Sequence, residues 1–333
     1  MENKKAAVGK FILLTALILL SVGLYIYARV FAKAIDSNIE LTFPVALRIL
    51  SRSGASLLGM VVSATLIAVV SLAFQTITEN RVLTPSMLGF DSVFLATQSI
   101  LVFFASNIKA IGKLFANPYC NFFITTGVML VISMLMYSIM LRKNKNNIVF
   151  LLLFGLILSS IVKSLTNYIE VLLDPQQFQQ LKAVTTVSIT NMNENIILLA
   201  APAMIVFTFL FVKRSREYDV MQLGESNAKS LGIPYTRRVN STLILIALAM
   251  AVTTALIGPL TFLGLLAVNI ARELFKTYKH SVLFFGSILI AILFLVLGQG
   301  IVELLRYATP VTVLIDLIGG TYMIILILKE HRL

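Results

Sequence analysis

The residues of this sequence that could do chemistry are polar side chains stranded in long apolar stretches: Gln75, Lys163, Asn195, Gln299, Glu303 and Asp316. In a lipid-soluble protein such groups face a bundle interior or a watery path, because hydrocarbon does not solvate them. Lys163, Glu303 and Asp316 stand near enough to predicted helix ends to snorkel to head groups. The neutral Gln75 and Gln299 pack or line a path. Bond-making chemistry finds no support. There is no His-Glu-x-x-His, no Gly-x-Ser-x-Gly and no paired intramembrane carboxylates. Gly9-Lys10 and Gly112-Lys113 are followed by Phe and Leu, not by the hydroxyl that holds Mg²⁺ in a phosphate loop. The chain therefore reads as a non-enzyme that needs no cofactor and no metal. Its one cysteine, Cys120, allows no intramolecular disulfide and no thiolate cage, and reads as a small buried hydrophobe. His280 and His331, beside Lys279 and Arg332, read as loop and tail residues.

The elements that must position these residues are membrane helices. Of 333 residues 58% are hydrophobic and only 13% charged, with a mean hydropathy of +0.94. A soluble domain has no interior large enough to hide that much apolar surface. Charge-poor windows predict ten spans, near 10–32, 55–78, 90–106, 119–141, 148–171, 194–213, 240–257, 260–275, 281–305 and 310–328. The run from Phe11 to Ala28 is long enough to span, so it reads as the first membrane helix rather than a cleaved leader. The uncharged stretch from Val239 to Ala271 is too long for one span, and Gly258-Pro259 divides it, because proline removes a helix donor and clashes with the preceding turn. The third and eighth spans are short.

Charge sets the orientation. The formal net charge is +12. No basic run interleaves with aromatics, which argues against nucleic acid. With ten spans and the N-terminus inside, about two-thirds of the Lys and Arg residues fall on the cytoplasmic side, as the positive-inside rule requires. Both termini are then cytoplasmic. The longest hydrophilic connection, from Lys213 to about Asn240, is cytoplasmic too. It predicts two short helices broken at Gly224, with Glu225 or Ser226 as a cap and Gly232 before Pro234 as a stop. Gly224, Ala228, Leu231 and Gly232 suit a surface that packs against something.

Three segments carry a family resemblance. The first is Phe74-Gln75-Thr76-Ile77-Thr78-Glu79-Asn80 with Thr84-Pro85-Ser86-Met87-Leu88-Gly89. The second is Leu223-Gly224 with Ala228 and Ser230-Leu231-Gly232-Ile233. The third is Gly258-Pro259-Leu260-Thr261-Phe262-Leu263-Gly264-Leu265 with Asn269-Ile270-Ala271-Arg272, continued by Thr309-Pro310-Val311-Thr312-Val313 and Ile318-Gly319-Gly320. In this order the chain resembles the FecCD-type permeases, which import iron-siderophores, haem and cobalamin with an ABC ATPase and an external binding protein. It departs from them at Val268-Asn269, where Pro-His is common, and at Arg81, where Pro is usual. Gln299 and Glu303 stand where an Asp and an Arg are common.

The resemblance implies an all-α, type II ABC importer permease in one transmembrane domain over 1–333, with coupling helices at 217–234. It implies ATP-driven import of a ferric siderophore across a bacterial cytoplasmic membrane. The implied partners are an ABC ATPase dimer, a second and different permease chain, and a binding lipoprotein or periplasmic protein. It assigns ATPase coupling to Gly224, Glu225, Ala228, Lys229, Leu231, Gly232 and Ile233. Gln75, Asn80 and Val82 belong to the cytoplasmic gate and path, and Arg48, Arg52 and Arg306 to binding-protein docking. A haem or cobalamin permease is the nearest alternative. An ion-coupled secondary transporter would leave the long cytoplasmic loop unexplained, and a membrane enzyme lacks a catalytic constellation.

Overall fold

The computed structural model describes residues 2–32, 43–106, 108–143, 148–187, 189, 192–306 and 309–330. His331 lies outside them. The described residues form fourteen α-helices. The ten larger ones are α1 (Glu2–Tyr27), α2 (Phe43–Ile77), α3 (Phe90–Ala105), α5 (Pro118–Lys143), α6 (Ile148–Leu172), α8 (Glu194–Lys213), α11 (Tyr235–Ile257), α12 (Leu263–Phe275), α13 (His280–Leu304) and α14 (Val311–Glu330). Four short ones lie between them: α4 (Lys109–Ala116), α7 (Pro175–Thr185), α9 (Ser215–Met221) and α10 (Glu225–Ser230). Seven of the large helices are long and apolar enough to cross a membrane, and α3 and α14 contain shorter apolar stretches. With 13 residues, α12 extends only about 20 Å.

The order of elements follows the sequence expectation, and α8 has the expected ends. Three boundaries differ. Helix α1 begins at Glu2 rather than near 10. Helix α2 begins at Phe43 rather than near 55, so Arg48 and Arg52 lie inside the helix and not upstream of it. Helix α11 begins at Tyr235, directly after Pro234. The amphipathic helices α4 and α7 were not foreseen. Helix α7 is nonetheless written in the sequence as a capping box. The Asp174 carboxylate accepts from the Gln177 amide at 2.8 Å, the Gln177 side chain accepts from the Asp174 amide at 3.1 Å, and Pro175 takes the first helical position.

The hub is α2. From Val62 to Ile77 every side chain is buried, the pattern of a helix enclosed by others on all sides. It packs against α8, α11, α12 and α13. Small residues make this possible, since membrane helices associate by close van der Waals contact and not by exclusion of water. At Gly264 of α12 an added Cβ would collide with the Ser71 side chain of α2, backbone-proximal Cβ included. Gly264→Ala is therefore expected to destabilise the fold by about 1–3 kcal/mol. Adding Ser71→Gly should recover most of that loss in a detergent melting experiment. Equal melting of wild type and the single variant would refute the close contact.

The helices alternate in direction. At one end Lys10 Nζ donates to the Leu274 carbonyl at 2.7 Å, joining the start of α1 to the end of α12. At the opposite end Arg29, in the π-helical turn Ala28–Ala32, meets Glu303 near the end of α13 at 3.3 Å. Glu303 thus has a buried cation as its partner and does not snorkel. It also accepts from Gln299 at 3.2 Å. Lys163 and Asp316 are exposed, as is Asn195 in the first turn of α8, and Cys120 is half-buried rather than buried.

Candidate functional site

The end that holds Lys10 also holds α9 and α10. Between them Gly224 has φ 90° and ψ 163°, a backbone conformation essentially restricted to glycine. The two short helices can meet at an angle only through such a residue. After α10 the chain closes in a Schellman arrangement. The Ile233 amide donates to the Ala228 carbonyl and the Gly232 amide to the Lys229 carbonyl, each at 3.0 Å. Gly232 supplies the required positive φ of 83°. Neither Glu225 nor Ser226 caps α10; Gly224 occupies the cap position without a side-chain bond. Ala228 is fully buried and Ile233 packs on the core. Glu225 and Lys229 pair along the exposed side. Leu231 is 62% exposed, and so, at 52%, is Leu223, which the family resemblance includes but does not assign to the coupling residues. Two exposed leucines flanking a polar helix leave apolar surface uncovered among the described residues.

Helix α9 is anchored firmly. Arg214 donates to Ser241 at 2.8 Å, Glu217 pairs with Arg238 at 2.8 Å, and the Tyr218 hydroxyl meets that of Thr242 at 3.0 Å. Burial pushes the Tyr218 phenol up to about 12, so it remains a neutral hydrogen-bonding group at physiological pH.

The turn after α2 lies beside this element. Glu79 has φ 50°, and its carboxylate accepts from the Tyr235 hydroxyl at 3.3 Å. A Cβ at Gly224 would come within 3.8 Å of both Glu79 carboxylate oxygens. Asn80 is exposed and its side chain accepts from the Val82 amide at 2.9 Å. It therefore shapes an Asx-type turn and caps no helix. Asn269 of α12, at the position where the sequence departs from the family pattern, donates to the Arg81 carbonyl at 3.0 Å and holds the turn. Gln75 is buried, and neither of its amide atoms has a hydrogen-bond partner among the described residues.

Beyond Thr84 the chain does not stay at the bundle end. The 3₁₀ turn Pro85–Leu88 packs against Gly155, and a Cβ at Gly89 would lie 2.9 Å from Ser159 Oγ. Both partners are in the body of α6. A second break, Gly258–Phe262, enters between α11 and α12, and its Thr261 donates to Asp91 Oδ2 at 3.0 Å. Non-helical backbone at membrane depth is tolerated where it is enclosed by protein or lines an aqueous cavity. The two breaks thus meet through Asp91 and Thr261 inside the bundle, a meeting that sequence reasoning missed. Its only signals were Gly89 ahead of Asp91 and the Gly258-Pro259 pair.

The expected docking arginines are at the opposite end. Arg48 and Arg52 are exposed, four residues apart on the first turns of α2 and so on one face. Arg306 follows α13, exposed and with φ 55°.

Comparison with known proteins agrees with this architecture. The chain is 36% identical over 325 residues to the petrobactin import system permease protein YclO of Bacillus subtilis, covering 97% of this chain and 98% of that one. It is 29% identical to the petrobactin import system permease protein FatC of Bacillus anthracis, covering 100% and 92%. Among solved structures, an inward-facing metal-chelate type ABC transporter superposes with a TM-score of 0.82 at 18% identity, over 96% of this chain and 99% of that one. That likeness shows the type II ABC importer permease fold. The model of the FecCD transport family matches residues 11–329, so the chain belongs to the FecCD transport family.

Proposed function

We propose that this chain is the membrane-spanning permease of an ATP-driven importer for ferric siderophores, with petrobactin, carried in the names of its relatives, as the first substrate to try. The observation that carries the reading is the α9–α10 element, anchored to the bundle yet presenting Leu223 and Leu231 to solvent. An ABC ATPase dimer docks there, and Gly224, Glu225, Ala228, Lys229, Leu231, Gly232 and Ile233 form the coupling surface. Gln75, Asn80 and Val82 belong to the inner gate. A second, different permease chain completes the translocation path.

The orientation follows from charge. The coupling end carries Lys10, Arg81, Arg214, Arg216, Lys229, Arg237, Arg238, Arg272, Lys276 and Lys279. That clustering supports a cytoplasmic coupling end and cytoplasmic termini in a bacterial cell membrane. Affinity purification of the chain from detergent-solubilised host membranes should bring down an ABC ATPase, and Leu231→Asp should abolish that co-purification while leaving membrane insertion intact. Recovery of the chain with no ATPase would refute the reading.

On the outer face an acidic binding protein, soluble or lipid-anchored, docks on Arg48, Arg52 and Arg306. Exposed charges steer association through a field screened within about 8 Å at physiological ionic strength. Arg48→Glu with Arg52→Glu should weaken binding-protein association and flatten its salt dependence. Unchanged affinity and salt slope would leave those arginines to the lipid head groups.

A further inference from the structure

The sequence placed His280 in a loop. The structure makes it the first residue of α13, with no exposed surface. Its two ring nitrogens both have partners, and each partner is on a different element. Nδ1 lies 2.8 Å from Asp219 Oδ1 of α9, and Nε2 lies 2.8 Å from the Thr76 hydroxyl, one residue before the end of α2. Asp219 Oδ1 also accepts from the His280 backbone amide at 2.6 Å. One carboxylate oxygen of α9 thus caps α13 and fixes its first side chain. The Tyr218 ring lies 5.8 Å from the imidazole and closes the site.

The bonding is directional. A carboxylate at Nδ1 holds the proton on that nitrogen, which leaves Nε2 of the neutral ring as an acceptor for Thr76. Thr76 has one hydroxyl proton and a second acceptor, the Leu72 carbonyl, also at 2.8 Å. The relay can therefore adjust by rotating a hydroxyl, without moving a helix. Buried, fully partnered polar groups of this kind fix relative position, which apolar contacts do poorly because they slide.

We infer that Asp219–His280–Thr76 is a positioning relay that transmits movement of the coupling element to the end of α2 and the gate turn beyond it. The inference rests on the reading of this chain as an ATP-driven permease. Helix α9 with its N-cap residue is bound to α11 by three polar contacts, from Arg214 at the cap and from Glu217 and Tyr218. Through Asp219 alone it makes a side-chain hydrogen bond to α13, and through His280 it reaches α2, among the described residues. Thr76 is followed within a few residues by Glu79 and Asn80. A push on α9 is thus passed by a hydrogen-bonded chain of three residues to the segment that opens or shuts the inner end.

The test uses the complete complex in proteoliposomes, with its ATPase, second permease and binding protein, and radiolabelled ferric petrobactin as probe. Two rates are read: ATP hydrolysis with and without loaded binding protein, and iron uptake. Asp219→Ala and Thr76→Val should keep basal hydrolysis, lose its stimulation by loaded binding protein, and lower uptake by about tenfold or more. Asp219→Asn and Thr76→Ser, which restore an acceptor and a hydroxyl respectively, should recover both. Wild-type stimulation and uptake in Asp219→Ala and Thr76→Val would overturn the relay. So would loss of the assembled complex in step with uptake, because that is what a purely structural role predicts. A wild-type complex that takes up no ferric petrobactin or other ferric siderophore with ATP would overturn the functional reading itself.

Discussion

Gly224→Val is expected to lower ATP-driven uptake by about 5- to 150-fold while the chain still inserts and assembles. The backbone at this residue is in a region that costs a β-branched side chain on the order of 1–3 kcal/mol. Relief of that strain requires α9 and α10 to change their mutual angle. The valine methyls would also press on Glu79, whose carboxylate oxygens lie 3.8 Å from the position of the added Cβ and which is held by Tyr235. Strain and crowding therefore fall on the contact between the α9–α10 element and the turn after α2. Gly232→Ala is the control. Its φ of 83° is also positive, but no atom lies within 4 Å of the added Cβ, so the expected loss is smaller. ATP-driven uptake, membrane insertion and ATPase co-purification, measured on the same preparations, decide the matter. Wild-type uptake in Gly224→Val would remove 217–234 from the coupling path. Failure to insert would show that Gly224 serves folding instead.

Glu303→Ala should produce the largest loss of stability, roughly 3–5 kcal/mol. Arg29 is buried, and its Nε has no hydrogen-bond partner among the described residues. Its bond to Glu303 at 3.3 Å joins the end of α1 to the end of α13, where Gln299 adds a second donor to the same carboxylate oxygen. Removing the carboxylate leaves a buried cation with the Tyr25 hydroxyl, 3.4 Å from Nη1, and no counter-charge among the described residues. Removing both charges does not: Arg29→Met with Glu303→Leu should melt within about 1–2 kcal/mol of wild type, since apolar replacement of a buried pair is often neutral or better. Thermal melting in detergent reads both. A single variant as stable as the parent would mean that the pair is open to solvent.

This pair also shows what the sequence could and could not say. Gln299 and Glu303 were visible as departures from the family pattern. The cation that answers Glu303 comes from the far end of the chain, at Arg29, and no spacing rule joins them. Helix existence was legible because hydrocarbon forces every span to announce itself as an apolar window. Helix extent was legible only where charge marks it. The window for α2 opened too late because Arg48 and Arg52 interrupt it, yet the helix runs through both with their side chains exposed. Helices α4 and α7 escaped because, at 8 and 11 residues, they are too short to present a spanning window. The Asp174-Pro175 start of α7 was the missed cue.

The α9–α10 segment was legible as a pattern, a helix, a glycine break and a second helix, because positive φ leaves its mark on residue choice at Gly224 and Gly232. What it touches was not. Glu79, Tyr235, Asp219, His280 and Thr76 come together from segments far apart in the chain, and His280 looked like any polar residue beside a lysine. Asp91 and Thr261 were hidden for the same reason: two backbone breaks meet only in three dimensions.

The most direct measurement of the central claim is iron accumulation in proteoliposomes that hold this chain, its partner permease and its ATPase, with loaded binding protein added to the outer face. Radiolabelled ferric petrobactin should accumulate when ATP is enclosed with the ATPase domains, stop when orthovanadate is present, and not respond to an imposed proton or sodium gradient. Accumulation driven by an ion gradient in vesicles lacking the ATPase would contradict the account.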